Sequence, residues 1–271
     1  TREDGTNCGF GGCYYNRPAD RTDDFNEVSA RIGIVTNYQD LNYFAQISLG
    51  FRPPQINEAY RLQKKQNVSD LDSETLTMIE VGSKYDLDMI NGSISIYQSK
   101  KKNSIFRDSE NFIVDNGKTD HEGIELSLNW LINAANTIST NITYGDHKYD
   151  FATDTSMREK IRIGNKIDTA PRLMANLIWN LSLDDDSLLA FEVEHMSSYY
   201  TDAANLHEYD GHTLYHARFK KDLSDSLKTY FRVDNIANKR YAERADFNAF
   251  GGDRYFPGLP REFYIGLEYT F

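Results

Sequence analysis

The sequence has 271 residues, with 30 Lys plus Arg against 41 Asp plus Glu, so its formal net charge at pH 7 is −11. Negative mean hydropathy and the lack of any run of about 18 apolar residues exclude a helical membrane protein, and the acidity argues against a nucleic-acid partner held through phosphates. A transmembrane β-barrel stays possible, because its alternating strands average out as hydrophilic. Aromatic residues make up 13% of the chain, with 18 Tyr and 15 Phe, which favours strands and membrane interfaces.

The first 27 residues are predicted to be a loop that carries both cysteines of the chain. Cys8 and Cys13 flank Gly-Phe-Gly-Gly, and these glycines allow the tight turn that a disulfide requires. Two cysteines in an oxidising compartment indicate one disulfide in a loop. A metal-binding pair and a redox pair are the alternatives.

From residue 28 onward, apolar and polar residues alternate with the period of two that marks β-strands. In the fifth segment, for example, Ile124, Leu126 and Leu128 face one way and Glu125 and Ser127 the other. The pattern predicts eleven strands, at about 28–38, 41–51, 74–86, 89–106, 118–131, 137–150, 170–183, 188–200, 212–221, 227–234 and 260–271. Most are long enough to cross a bilayer when tilted.

The predicted connections alternate in length along the chain. Short ones lie at 39–40, 87–88, 132–136, 184–187 and 222–226, and longer ones at 52–73, 107–117, 151–169, 201–211 and 235–259. In an up-and-down barrel this order places all short turns at one rim and all long loops at the other. Outer-membrane barrels have short periplasmic turns and longer extracellular loops, so we expect a periplasmic C-terminus. A soluble β-sandwich or propeller is the alternative, but it has no reason to alternate its connections so strictly.

An odd strand number is unexpected, because single-chain bacterial barrels have even numbers and lipid does not tolerate an open sheet edge. The chain also begins in a loop and ends on an aromatic strand. We therefore expect it to be the second half of a barrel of twenty-two strands.

Four segments are similar to the C-terminal half of the barrel of TonB-dependent outer-membrane receptors. They read GFRPPQINEAY at 50–60, DNGKTDHEGIELSLNW at 115–130, VDNIANKRYAE at 233–243 and PGLPREFYIGLEYTF at 257–271. The matching positions are Phe51, Arg52, Pro54, Glu58, Tyr60, Asn116, Gly117, Gly123, Glu125, Asn235, Asn238, Lys239, Tyr241, Pro257 and Gly258. Two small departures are Pro53 where Ala is usual and Ile236-Ala237 where Leu-Phe is usual.

The resemblance implies an energised importer: a barrel filled by an N-terminal plug, coupled through the plug to the TonB complex. It implies an outer-membrane location in a Gram-negative bacterium, with residues 1–27 as an extracellular loop and residues 28–271 as the C-terminal part of the barrel. The usual cargo is a ferric siderophore, so siderophore uptake and iron transport are expected, with no permanently bound cofactor. The resemblance also implies that Phe271 is read by the barrel-assembly machinery. The alternatives are a passive porin or adhesin barrel and, less favoured, a secreted all-β binding module.

In the barrel interpretation, the apolar faces meet lipid and carry an aromatic girdle, while the opposite faces line a polar lumen. The predicted girdle consists of Tyr43, Trp130, Trp179, Tyr199, Tyr264 and Tyr269. The predicted lumen residues include Glu80, Lys84, Glu125, Glu192, Glu194, Arg232 and Glu268. For most of these we expect a structural role against the plug or across strands.

Candidate cargo residues concentrate in two long loops. Tyr, His and Arg side chains can contact an iron chelate, and the basic loop at 151–169 could also attract an anionic cargo or the phosphates of lipopolysaccharide. The candidates are Tyr199, Tyr200, His207, Tyr209, His212, Arg158 and Arg162. The alternative is that they are polar loop residues and a lumen-facing strand histidine.

No enzyme is predicted, because the sequence has no Gly-x-Ser-x-Gly, no phosphate-binding glycine loop and no zinc signature. We accordingly assign no catalytic residue and no metal ligand from the sequence.

Overall fold

The computed structural model describes residues 7–10, 12–13, 15–16, 19–60, 62–63, 66, 71–153 and 159–271. Eleven strands form one antiparallel sheet in which each strand pairs with the next along the chain. They are β1 (Ala30–Tyr38), β2 (Leu41–Arg52), β3 (Glu74–Leu87), β4 (Ile90–Arg107), β5 (Ile113–Asn133), β6 (Asn136–Tyr149), β7 (Leu173–Asp184), β8 (Ser187–Met196), β9 (His212–Ser224), β10 (Leu227–Asp234) and β11 (Glu262–Tyr269). The predicted all-β meander is confirmed, with shifts of a few residues at most boundaries.

Five two-residue turns, at 39–40, 88–89, 134–135, 185–186 and 225–226, share one rim, and the other connections share the opposite rim. These are 53–73, 108–112, 150–172, 197–211 and 235–261, here called the long-connection rim. The predicted bounds of the longer connection at 107–117 are wrong. β4 and β5, which are 18 and 21 residues long, pair as far as Arg107 and Ile113, so five residues connect them, which is still more than the two of the short turns.

The long connections contain short elements. Helix α1 spans Ile56–Tyr60, and three two-stranded ladders pair Tyr15–Asn16 with Leu62–Gln63, Tyr199–Tyr200 with Glu208–Tyr209, and Ala242–Asn248 with Gly252–Pro257. In the part of the chain that the structure describes, no helix has the length and apolarity to cross a membrane.

One face of the sheet is an apolar band. Directly opposed residues share a face, and Ala45, Val81, Ile96, Ile124 and Tyr144 follow one another across five strands in this way. These side chains are not packed against a second sheet; Ile96, for instance, is 53% exposed. An apolar surface this extensive is suited to lipid.

The opposite face is polar and carries all seven predicted lumen residues, as the strand register shows. Aromatic rings on this face lie over glycines of neighbouring strands. A Cβ on Gly123 would be 2.6 Å from the Tyr97 hydroxyl, and one on Gly82 would be 2.6 Å from the Phe44 ring. The glycines therefore leave room for rings that lie flat on the wall.

Two of the six predicted girdle residues do not lie on the apolar face. Tyr264 is opposed to Arg232 on the polar face, where the guanidinium lies 5.6 Å from its ring centroid. Tyr199 belongs to a short ladder in the long-connection rim and is buried. Tyr43, Trp130, Trp179 and Tyr269 lie on the apolar face.

In the described part of the chain, the buried apolar residues that cluster lie in the long connections and at the strand ends beside them. They form three small clusters: Ala59, Leu62, Leu71, Ile105 and Ile113; Tyr199, Tyr209, Ala242 and Ala245; and Tyr149, Ile161 and Ala203. The hydrophobic effect thus orders the long-connection rim, while backbone hydrogen bonds hold the wall.

The wall is an open sheet. Within the described residues, β1 and β11 each pair with one neighbour and not with each other. Each edge therefore presents unpaired backbone N–H and C=O groups, which hydrocarbon does not tolerate.

Candidate functional site

The connections 108–112, 150–172, 197–211 and 235–261 pack together at the long-connection rim. The Glu159 carboxylate joins its own connection to two of the others, because it accepts hydrogen bonds from the Ser109 amide at 2.5 Å and the Ala203 amide at 2.7 Å. The Phe247 amide donates to the Thr201 carbonyl at 3.0 Å, which adds the fourth connection, 235–261, to the three that Glu159 joins. These contacts make the rim an ordered surface rather than a set of independent loops.

Tyr199 and Tyr209 hold the hairpin formed by Ala242–Asn248 and Gly252–Pro257. The Tyr199 hydroxyl bonds the backbone of Ala245, and the Tyr209 hydroxyl bonds that of Ala242. Both tyrosines are buried, so their observed contacts are structural. A direct contact with cargo would require the hairpin to move away.

The other candidate cargo residues lie around this hairpin or on the neighbouring connection. The His207 ring stacks on Phe247 with centroids 3.7 Å apart, and His212 Nδ1 is 3.0 Å from the Tyr209 hydroxyl. Tyr200 is half-buried, and its carbonyl accepts from the Thr169 amide. The exposed Arg162 donates to the carbonyl of Ile161, whereas Arg158 lies outside the described residues.

A cavity of about 250 Å³ lies between the packed connections. Its charged lining consists of Asp108, Glu159, Asp168, Asp202 and Asp246 with Arg107, Arg244 and Arg254. Most of these carboxylates have defined partners: Asp246 pairs with Arg244 and Arg254 at 2.7 and 2.5 Å, and the Tyr149 hydroxyl donates to Asp168 at 2.7 Å. Ion pairs and hydrogen bonds within the protein thus satisfy most of the carboxylates that line this cavity.

Asp108 is the exception in this cavity. Its Oδ1 accepts from the amides of Glu110 and Phe112, whereas its buried Oδ2 has no hydrogen-bond partner. Burial disfavours the charged form and raises the pKa of Asp108 to about 6. Burial also raises the pKa of Asp168. Within the described ranges, no group of three or more His, Cys, Asp or Glu is arranged to hold a metal ion.

The polar face of the wall is linked by hydrogen bonds across strands. Arg31 donates to Gln46 at 2.6 Å, and Gln46 donates to Glu80. On the far side, Arg218 donates to Glu192 at 2.6 Å. These networks position the charges of the lumen face, as cross-strand pairs do in other sheets.

Arg52 organises the first family-like segment. Its guanidinium forms two hydrogen bonds with Glu58, at 2.9 and 3.0 Å, and a third with Glu74 at 2.5 Å. Glu58 also accepts from the Gln55 amide at the start of α1, and the Tyr60 hydroxyl donates to Asp23. The motif therefore ties the end of β2 to the connection that follows it.

The second family-like segment, at 115–130, contains a left-handed backbone conformation that few residue types adopt without strain. Asn116 has φ of 54°, in the left-handed region, next to the register shift at Ser104. A Cβ on Gly117 would be 2.8 Å from the Ser104 carbonyl oxygen. Asn and Gly at these positions permit the irregularity that long strands β4 and β5 contain.

Asn235 fixes the third segment. It is 2% exposed, has φ of 49°, and its side chain bonds the Lys239 amide and the carbonyls of Lys239 and Leu259. Tyr241 then packs on Gly258, where a Cβ would be 2.1 Å from its ring. Both ends of the last long connection are thereby held together.

The cysteines form the disulfide expected for a loop, with Cα atoms of Cys8 and Cys13 5.0 Å apart. At the other end of the chain, Phe271 is fully exposed and its ring meets Tyr269 edge-on, with centroids 5.1 Å apart.

Sequence reasoning did not identify one pair on the lumen face. His121 and His147 lie opposite each other on β5 and β6, with their Nδ1 atoms 3.0 Å apart. Each histidine is thirteen residues from position 134, the middle of the predicted turn at 132–136. Residues equidistant from a hairpin turn lie opposite each other, so the sequence contained a signal for this pair.

The comparisons with known proteins agree with this architecture. The chain is 21% identical over 182 residues to the probable TonB-dependent siderophore receptor PiuA of Acinetobacter baumannii, a match that covers 65% of this chain and 24% of that protein. The crystal structure of the A. baumannii siderophore receptor PiuA superposes with a TM-score of 0.73 at 17% identity, covering 88% of this chain and 35% of that one. The ferric-catecholate import receptor Fiu from Escherichia coli K12 gives 0.72 at 16% identity, covering 98% of this chain and 39% of that one.

The chain thus spans well under half the length of these proteins. At such low sequence identity, the structural similarity establishes the fold and nothing further. The sequence profile of the family described as TonB dependent receptor-like, beta-barrel matches residues 4–236. On that match, which covers most of the eleven-stranded wall, the chain belongs to the TonB-dependent receptor family of outer-membrane β-barrel proteins.

Proposed function

We propose that this chain is the C-terminal half of the barrel of an outer-membrane receptor that imports a ferric siderophore or a similar bulky nutrient. The observation that carries the proposal is the open eleven-stranded meander, with an apolar outer face and a charged inner face. Eleven further strands would pair its two edges and give the even number that such barrels have. The named relatives, a siderophore receptor and a ferric-catecholate import receptor, support this cargo class.

In this proposal the long-connection rim is extracellular and the C-terminus is periplasmic, with residues 1–27 as an extracellular loop beside the barrel at 28–271. The outer face supports the orientation. Above the apolar pair Ile124 and Tyr144, the next opposed pairs are Glu122 with Asp146 and Asp120 with Lys148. This change from apolar to charged residues toward the long connections is where lipid would meet headgroups, including the phosphates of lipopolysaccharide.

The cargo would bind at the long-connection rim. Arg162, Tyr200, His207 and His212 supply the positive charge and the nitrogen and oxygen atoms that an anionic iron chelate contacts, and Arg158 lies on the same connection as Arg162. Tyr199 and Tyr209 would contribute by holding the hairpin that borders this surface. The role is one of receptor and transporter, with no catalytic step by the chain itself.

The other partners follow from the family. An N-terminal plug would fill the lumen against Glu80, Glu125 and Arg232, and TonB would act through that plug. The exposed terminal Phe271 would be recognised by the barrel-assembly machinery.

The experiment is uptake of radioactive iron by cells that carry or lack the gene, grown under iron limitation with a panel of siderophores. Our proposal predicts that uptake of one siderophore is lost in the deletion strain and in a tonB strain, and restored by the full-length gene. Uptake that persists without TonB would instead favour a passive barrel. Unchanged uptake of every siderophore in the deletion strain would contradict an iron-chelate cargo.

A further inference from the structure

His121 and His147 form a hydrogen-bonded imidazole pair on the lumen face of the wall. They are Cα partners on β5 and β6, their Nδ1 atoms are 3.0 Å apart, and both are half-buried. They lie on the long-connection side of the level of Ile124 and Tyr144, the last apolar pair of the outer face. Solutes that enter from the long-connection rim would therefore meet them.

The Nδ1–Nδ1 distance suits a chelated metal ion of a particular geometry. With metal–nitrogen bonds of about 2.0–2.1 Å, nitrogens this far apart subtend an angle of about 95° at the metal. A near-right angle matches the square-planar or tetragonal sites of Cu²⁺ and Ni²⁺ better than the tetrahedral sites of zinc. Among divalent first-row ions, Cu²⁺ binds such nitrogen sites most tightly.

We propose that His121 and His147 form a two-imidazole binding site for Cu²⁺, which also binds Ni²⁺ more weakly. The remaining coordination positions would be filled by water or by donor atoms of a small chelator. Without metal the two Nδ1 atoms share a hydrogen bond, so one of them carries a hydrogen. On metal binding this hydrogen moves to Nε2 of the same ring by exchange with water, and each Nδ1 lone pair then turns toward a common point beside the line that joins the two atoms. The rings are already tilted by 53° to each other and are only half-buried, which leaves room for that rotation.

Neighbouring residues hold the His121 ring in place and leave room for the His147 ring. Thr119 Oγ1 lies 2.8 Å from His121 Nε2, a second contact of the kind that fixes the ring of a metal-binding histidine. The His147 ring lies over Gly145, where a Cβ would be 2.6 Å from Nε2. The nearby ammonium of Lys101 forms an ion pair with Glu74 at 2.9 Å, which reduces its repulsion of a bound cation.

This site is independent of the proposed cargo, and its test does not use transport. The full-length protein, purified in detergent, is titrated with Cu²⁺ by calorimetry, and its electron paramagnetic resonance spectrum is recorded at one equivalent. The variants are His121→Asn, His147→Asn and the double variant. His195→Asn is the matched control, because His195 lies on the outer face and bonds Thr213.

We expect the wild-type spectrum to contain hyperfine splitting from imidazole nitrogens that is lost in the double variant. Either single variant should bind Cu²⁺ at least about tenfold more weakly, since even losing a residue that only hydrogen-bonds to a metal ligand costs about that much. The control should match the wild type, and heat-modifiable gel migration should show that every variant is folded. Folded double variant and wild type with the same affinity and spectrum would overturn the proposal.

Discussion

The hydroxyl of Tyr199 bonds both backbone groups of Ala245: it accepts from the amide at 2.8 Å and donates to the carbonyl at 3.2 Å. The two residues are 46 positions apart and belong to different long connections. Ala245 is completely buried, so no solvent replaces this contact if it is lost. Tyr199 thus fixes, together with Tyr209, the hairpin that borders the proposed cargo surface.

Tyr199→Phe is expected to loosen this hairpin. It leaves the amide and carbonyl of Ala245 buried without the hydroxyl, which costs about 1–3 kcal/mol. Hydrogen exchange of the segment 242–248 should therefore accelerate by about tenfold or more, since about 1.4 kcal/mol corresponds to a factor of ten. Tyr200→Phe, one residue along and half-buried, is the control; equal exchange in both variants would argue against the role of Tyr199.

Gly123→Ala is expected to destabilise the wall. The new Cβ would be 2.6 Å from the Tyr97 hydroxyl and 2.7 Å from the Tyr144 carbonyl oxygen, and overpacking of this kind costs about 1–3 kcal/mol. A lower temperature of the heat-modifiable gel transition would show it. Gly50→Ala should leave that temperature unchanged, because nothing lies within 4 Å of its Cβ position. If both variants melt alike, the packing of Tyr97 on Gly123 does not matter for stability.

Asp108 is expected to make the long-connection rim more stable in mild acid. Its pKa is raised from 3.8 to about 6, so protonation of Asp108 favours the folded state. This contribution to the free energy of unfolding is complete below about pH 4 and is lost as the pH rises through about 6. At about 1.4 kcal/mol per pKa unit, the upper bound is about 3 kcal/mol.

Asp108→Asn should remove this pH dependence while keeping an oxygen acceptor for the amides of Glu110 and Phe112. Hydrogen exchange of residues 108–113 at pH 4.5 and 7.5, corrected for intrinsic rates, measures the effect. The wild type should become more protected in acid and the variant should not. A variant that retains the full pH response would assign it to another group.

Asn235 combines a backbone role with a side-chain role, and two substitutions separate them. Asn235→Gly keeps the left-handed backbone but loses the bonds to Lys239 and Leu259; Asn235→Ala loses both. Ala should therefore be worse than Gly by about 1–2 kcal/mol, the cost of a left-handed conformation for a residue with a Cβ. Protease resistance of the segment 235–261 ranks the variants. Equal sensitivity of Gly and Ala would mean that the backbone conformation is unimportant there.

The sequence by itself determined the strands and their faces. Alternation such as that of Ile124 and Glu125 is a local property, because successive side chains in a strand point to opposite sides wherever the strand is placed. The error at Tyr264 came from assigning it to the girdle as an aromatic residue without regard to this alternation. Tyr264 lies between Phe263 and Ile265, which are on the apolar face, so period two already puts it on the polar face.

Only the tertiary structure decided what the long-connection residues do. Tyr199 and Tyr209 are aromatic residues in a polar loop, and nothing nearby in the sequence reveals that Ala245 and Ala242 will bury them. The same holds for Asp108, whose pKa depends on burial by connections far along the chain. The physical reason is that alternation and turn chemistry act over a few residues, whereas burial and loop-to-loop hydrogen bonding depend on which distant segments the paired strands bring together at one rim.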